Sequence, residues 1–264
     1  MTELTFDVRP LADVLDAGEL QGYGSLVDQV YELLRRRIVD LSLPPESALV
    51  EQEVASVLGV SKTPVREAII RLSREGLVQV VPKSGSYVTA VSLERYLEAC
   101  FVRIQLEVGC VKRLAVLGVS LADQVKLRAL LTEQEEAIDH ADNKRFFVLD
   151  EEFHRRLFEL AGLPGAWKLM NVAKGELDRV RHIKRLSGIG QRHVVIAEHA
   201  AVIEAIVSRD PAAAEQAMLE NIGAVEDEMV SISENPGLLR TIEDLNQIVA
   251  LDRRSRGNKK AASE

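Results

Sequence analysis

Two sets of residues in this chain have the types and spacing to do chemistry. Asp150 and His154 stand four apart in FFVLDEEFHRRLFELAG, so a helix presents both on one face with Phe146, Phe147, Leu157 and Ala161. His199 falls among Val195, Val202, Ile203 and Ile206 on a second apolar face, and Asn221 among Ala217, Met218 and Val225 on a third. A single inward histidine is commonly a satisfied core residue. Three inward faces that each carry a metal-capable group are harder to explain that way, because unmatched polar groups are costly to bury. One carboxylate and two imidazoles, Asp150, His154 and His199, form a ligand set for Zn²⁺, Ni²⁺ or a related divalent ion. His140, His182 and His193 have polar or loop-like surroundings and receive no role.

The second set is basic and hydroxylated. Ser61, Lys62, Thr63 and, one turn later, Arg66 open the segment SKTPVREAIIRLSREG. Hydroxyls and first-turn N–H groups suit phosphate, aided by the helix dipole. Lys62 and Arg66 are long enough to reach guanine edges or phosphates, and Arg71 and Arg74 extend the positive face. Further on, Lys83-Ser84-Gly85 can approach a DNA backbone closely, because Gly85 has no side chain.

Positioning these groups requires particular elements. Leu26, Val30, Leu33, Leu34, Ile38 and Leu41 repeat at helical spacing behind Ser25, a candidate N-cap, and Pro44–Pro45 is expected to end that helix. EQEVASVL gives a short helix stopped by Gly59. The next helix has Pro64 in its first turn and stops at Gly76. LVQVV and SYVTA are β-rich runs around PKSG, a hairpin with Gly85 expected in its turn. Three helices and a hairpin make a winged helix-turn-helix, in which the second helix of the motif enters the major groove.

Beyond Ala90 the pattern stays helical: a long helix from Leu93, then stretches at 121–139, 142–162, 165–185, 191–208 and 211–232, with another near 237–250. Short connections make this an antiparallel bundle. The expected architecture is therefore mainly α, a winged helix-turn-helix followed by an all-α bundle. Its divisions are an N-terminal arm at 1–24, the DNA-binding domain at 25–90, the helical bundle at 91–232, and a C-terminal helix with a disordered tail at 233–264.

Composition excludes several classes. Forty-seven per cent apolar residues supply ample core, and 16 Gly with 8 Pro rule out a collagen-like chain. No apolar run approaches a bilayer span, and the first residues lack a secretory signal, so a cytoplasmic protein without membrane contact is expected. Cys100 and Cys110 cannot build a disulfide framework. The net charge of −8 argues against a nucleic-acid coat, yet residues 25–90 are balanced with eight basic and eight acidic groups. Affinity for phosphate needs only a local basic face.

The run LVEQEVASVLGVSKTPVREAIIRLSREGLVQVVPKSGSYV resembles the winged-helix domain of the GntR family of bacterial transcription regulators. By that resemblance Lys62, Thr63, Arg66 and Gly85 are DNA contacts; Gln52 stands where relatives commonly carry Arg and keeps hydrogen-bonding capacity without the charge. Residues 92–232 are similar to the FCD ligand-binding domain of the FadR-type subfamily. Metal-binding members follow an Asp-x-x-x-His pair with two later histidines. Asp150, His154 and His199 match the first three, and Asn221 replaces the last. Arg103 matches an arginine near the effector pocket, where a guanidinium suits a carboxylate. The resemblance implies a homodimeric, ligand-responsive regulator, a repressor, that binds an inverted-repeat operator in double-stranded DNA and answers to a small sugar acid or hydroxy acid. The competing enzymatic reading is a metal-dependent hydrolase with Glu151 or Glu152 as base, although helical spacing points both away from the Asp150–His154 face.

Overall fold

The computed structural model describes residues 9–20, 24–186 and 192–246. They form two compact units that do not follow the chain in simple order. One holds the chain through Tyr96, the segment beginning at Gly175 and the segment beginning at Ile232; the other holds Leu97–Lys174 and the stretch ending at Ser231.

In the first unit, α2 (Leu26–Val39) starts at a reciprocal cap. The Ser25 hydroxyl accepts from the Asp28 amide at 3.2 Å, and the Asp28 carboxylate accepts from the Ser25 amide at 3.1 Å. Its apolar stripe, Val30, Leu33, Leu34 and Ile38, is fully buried. The helix stops at Asp40 rather than at the prolines. Leu41 turns left-handed (φ 61°) with its side chain buried, and the Leu43 amide bonds back to the Arg37 carbonyl at 2.7 Å, so burial of one leucine ends the helix early.

Helix α3 (Glu51–Leu58) ends at left-handed Gly59, and α4 (Lys62–Arg74) crosses it with Pro64, Val65, Ala68, Ile69 and Leu72 inward. The wing is β1 (Val78–Val81) against β2 (Gly85–Val88), antiparallel, with Val78 opposite Val88. Gly85 does not sit in the turn. It opens β2 opposite Val81, and Lys83 is the left-handed turn residue (φ 64°) behind Pro82. A φ of 136° still reserves position 85 for glycine.

The described part of the expected N-terminal arm is docked. Helix α1 (Leu11–Val14) and a 3₁₀ turn at Ala17–Glu19 place Val14 and Leu15 in the same core, while Glu19 pairs with Arg36 and Arg37.

The stretch expected as one helix at 165–185 breaks at Lys174 into α8 (Pro164–Ala173) and α9 (Gly175–Leu186). Only α9 joins the first unit. A side chain at Gly175 would meet three Leu77 carbons at 3.1 Å, so it would press on that buried leucine. Arg179 is wholly buried and donates to the Thr89 carbonyl at 2.8 Å, and Glu176 accepts from the Ser92 amide. Arg35 reaches Asp178 at 2.9 Å. A last helix, α13 (236–246), offers the Asn246 amide to both backbone groups of Val91. The rest of the expected 237–250 helix and the tail lie outside the described residues.

The second unit is a bundle of α5 (Leu93–Leu117), whose first turn lies in the other unit, α6 (Leu121–Asp139), α7 (Asn143–Leu160), α8, α10 (Arg192–Val207), α11 (Pro211–Ile222) and α12 (Val225–Ser233), whose last two residues lie in the other unit. The single helix expected at 211–232 divides at left-handed Gly223 (φ 78°). Helix α10 packs on α6 and α11, and α7 on α6. Their shared core contains Leu114, Phe153, Leu157, Phe158, Val202, Ile203 and Met218.

Candidate functional site

The outer face of the first unit carries the basic set. Pro64 and Val65 turn inward, which leaves Ser61, Lys62, Thr63 and Arg66 exposed at the start of α4. Ser61 makes no side-chain cap, so its hydroxyl is not committed to the helix start. Gln52 is exposed on α3. Arg66 is engaged by a bidentate pair with Glu51, Nη2 to Oε2 at 2.8 Å and Nε to Oε1 at 3.0 Å, and these bonds hold the Glu51 carboxyl below its usual range. That pair engages Nε and Nη2 and leaves the Nη1 donors outside it. Arg71 does not extend the free positive face as expected. Its guanidinium lies 4.2 Å from the Tyr31 ring centroid and bonds Asp28 at 2.6 Å. Lys83, Ser84 and Gly85 form the exposed wing tip, where the Tyr87 hydroxyl donates to the Ser84 carbonyl at 3.1 Å.

The second unit brings the other set together. Asp150 and His154 on α7 and His199 on α10 are all at most 2 % exposed, and one ligand atom from each lies within 4.8 Å of the others. His199 Nε2 is 3.6 Å from Asp150 Oδ1, and its ring stacks on Phe153 with centroids 3.9 Å apart.

Two residues missed in the sequence set the tautomers. Gln134 on α6 donates its amide to the Leu149 carbonyl at 3.1 Å, so its oxygen is the atom that accepts from His199 Nδ1 at 3.0 Å. With Nδ1 protonated, Nε2 carries the lone pair, and that nitrogen is buried without a hydrogen-bond partner. Glu107 on α5 likewise accepts from His154 Nδ1. Such outer partners orient imidazoles for metals. Burial, opposed by the Asp150 charge, pulls His199 down to about 3, so the ring is neutral at physiological pH. Burial would raise Glu107, but its contacts with His154 and the Arg103 guanidinium outweigh it and hold the carboxyl at about 2.

Arg103 is no surface residue. It is 7 % exposed, donates Nε to Glu107 Oε1 at 2.6 Å and Nη2 to His154 Nε2 at 3.1 Å. Glu107 had a sequence signal, the i,i+4 spacing from Arg103; Gln134 had a weaker one, its helical phase with Leu127 and Leu131. Asn221 is half-buried on α11 and bonds Glu198, the neighbour of His199, at 3.2 Å, while its Oδ1 is buried without a hydrogen-bond partner.

The residues present fit a divalent cation: two imidazoles, one carboxylate and an orphaned buried nitrogen on His199. Both bases weighed for the hydrolase reading are engaged in ion pairs, Glu151 with Lys174 and Glu152 with Arg155. Cys100 and Cys110 are buried and not joined in a disulfide, and burial pushes Cys110 well above the usual thiol range. Among the described residues, no helix is long and apolar enough to cross a membrane.

Comparison with known proteins agrees with both halves. The family model for bacterial regulatory proteins of the gntR family matches residues 26–88, and that for the FCD domain matches 98–224. The chain is 37% identical over 214 residues to an uncharacterized HTH-type transcriptional regulator in an unstable DNA locus of Streptomyces ambofaciens, covering 80% of this chain and 89% of that protein. It is 31% identical over 204 residues to the HTH-type transcriptional repressor RspR of Escherichia coli K12, covering 77% and 89%. Among solved structures, E. coli McbR/YncC superposes with a TM-score of 0.68 at 21% identity over 80% of this chain and 99% of that one, a likeness of fold.

Proposed function

This chain belongs to the GntR family of bacterial transcription regulators and is not an enzyme; from that premise we propose that it is a cytoplasmic, homodimeric repressor whose DNA affinity is set by a small organic acid bound beside a divalent metal. The observation that carries the effector half is the orphaned His199 Nε2 within the buried Asp150–His154–His199 group. Those three residues hold Zn²⁺ or Ni²⁺, and the cation supplies Lewis-acid attraction for a carboxylate or hydroxyl of the effector. Gln134 and Glu107 orient the imidazoles, Arg103 offers a planar fork to a carboxylate, and Asn221, through its unpaired oxygen, lines the pocket toward an effector hydroxyl.

The reader half is residues 25–90. Ser61, Lys62, Thr63 and Arg66 face base edges and phosphates, Gln52 adds an uncharged hydrogen bond, and Lys83 with Gly85 meets the backbone beside the groove. Two readers related by a two-fold axis bind an inverted repeat whose half-site spacing follows the dimer. The acid changes repression only through unequal affinity for two arrangements of the protein, relayed through residues 90–92.

Genomic footprinting, followed by operator titration with and without Zn²⁺ and a panel of hydroxy and sugar acids, tests this. One acid is expected to release the operator in a metal-dependent way. Arg103→Ala is expected to weaken carboxylate acids more than neutral analogues. A metal-free wild type with full response to the acid rejects the metal role, and rapid turnover of an acid without DNA preference rejects the whole reading.

A further inference from the structure

Resting on the metal site proposed above, we propose that Arg103 is a displaceable cap on that site: its guanidinium and the metal compete for the single lone pair of His154 Nε2. The tautomer makes the competition exclusive. Glu107 accepts a proton-bearing Nδ1, so the only ring lone pair of His154 is on Nε2, and Arg103 Nη2 donates into it at 3.1 Å. A nitrogen lone pair takes an N–H or a metal, not both. Loading a cation onto Asp150, His154 and His199 therefore breaks this one bond, whereas His199 offers a nitrogen that nothing needs to leave.

What becomes of the arginine is set by its other arm. Nε is held by Glu107 Oε1 at 2.6 Å, within an i,i+4 pair that is almost wholly buried. When Nη2 is released, the guanidinium stays tethered beside the metal with a donor turned free. That is the group a small carboxylate needs for a two-point hold, one oxygen toward the metal and one toward the guanidinium. The order of binding follows: cation first, organic acid second. The two affinities are then linked, and by reciprocity the acid tightens the metal by the factor by which the metal tightens the acid. Glu107 serves both partners as a positioning residue, holding the His154 ring and the arginine stem at once.

The test separates the bond from the charge. In Arg103→Lys the ammonium can take the place of Nε against Glu107 and keep the positive charge, but it has no second arm to reach Nε2. Zn²⁺ alone is titrated into full-length, chelator-treated protein against a chromophoric chelator, for wild type, R103K and H199A. R103K is expected to bind Zn²⁺ about tenfold tighter than wild type, the size of a lost charge-assisted hydrogen bond; equal or weaker binding overturns the cap. A second measurement needs no variant. In wild type with labelled arginine and histidine, one equivalent of Zn²⁺ is expected to abolish the coupling between Arg103 Nη2–H and His154 Nε2 and leave Arg103 Nε–H bonded. Persistence of that coupling in the loaded protein also overturns the cap. Equal Zn²⁺ affinity in H199A and wild type means instead that the metal site itself is misassigned, a distinct outcome.

Discussion

Replacing His199 by Phe should abolish a specific loss of stability in mild acid. His199 is buried and neutral, held down to about 3, against about 6.5 for a histidine in the unfolded chain. The unfolded chain therefore takes up the proton first as pH falls. The stability tied to the neutral ring is fully present above about pH 6.5 and is lost progressively as pH drops toward 3. Between pH 7 and pH 5 that shift corresponds to about 2 kcal/mol, from the linkage of proton binding to unfolding. Phenylalanine keeps a ring against Phe153 but cannot titrate, and it leaves the Gln134 oxygen without its donor, a cost of about 1 kcal/mol at every pH. Urea unfolding followed by circular dichroism, with chelator present, at pH 7 and pH 5 for both proteins gives the comparison. The other titrating groups are common to the two, so the difference isolates position 199. The gap between wild type and H199F should shrink or reverse by about 2 kcal/mol on acidification. Parallel losses in the two proteins would refute the buried neutral histidine and, with it, the reason its nitrogen is ready for a metal.

Three other outcomes can be checked. Lys62→Ala with Arg66→Ala should weaken operator binding and lower the slope of log affinity against log salt by about two, if both side chains reach phosphates, while the melting curve stays close to wild type; an unchanged slope with lower affinity would mean that they contact bases only. Gly175→Ala should destabilise the first unit by about 1–3 kcal/mol, since its new carbon meets the buried Leu77 side chain at 3.1 Å, and in a double-mutant cycle with Leu77→Ala, itself costly because Leu77 is wholly buried, the double mutant should lose less in thermal melts than the two single losses added together. Glu107→Gln leaves Arg103 and His154 without their shared carboxylate; calorimetry should show about 3 kcal/mol less stability and Zn²⁺ titration at least tenfold weaker binding.

Much of this protein is written in short-range patterns. Apolar spacing places the start of α2 and the whole of α4, α5 and α6 almost to the residue, Ser25 marks the cap of α2, Gly59 and Gly76 mark their stops, and PKSG marks the hairpin, because each signal acts within a turn or two of its own position. The i,i+4 rule likewise puts Asp150 and His154 on one face. Tertiary structure decided what depends on partners far along the chain. The breaks at Lys174 and Gly223 interrupt segments whose apolar period runs on without a pause, and α9 packs with the reader although it lies inside the span matched by the FCD domain. The early end of α2 depends on burying Leu41, and Arg71 turns to Asp28 across 43 positions. At the candidate site, the residue types were legible but not their state. Which nitrogen of His199 carries a proton is settled by Gln134 from another helix, and which nitrogen of His154 does is settled by Glu107 from a third. A tautomer follows from hydrogen bonds between helices, and those exist only once the bundle has closed.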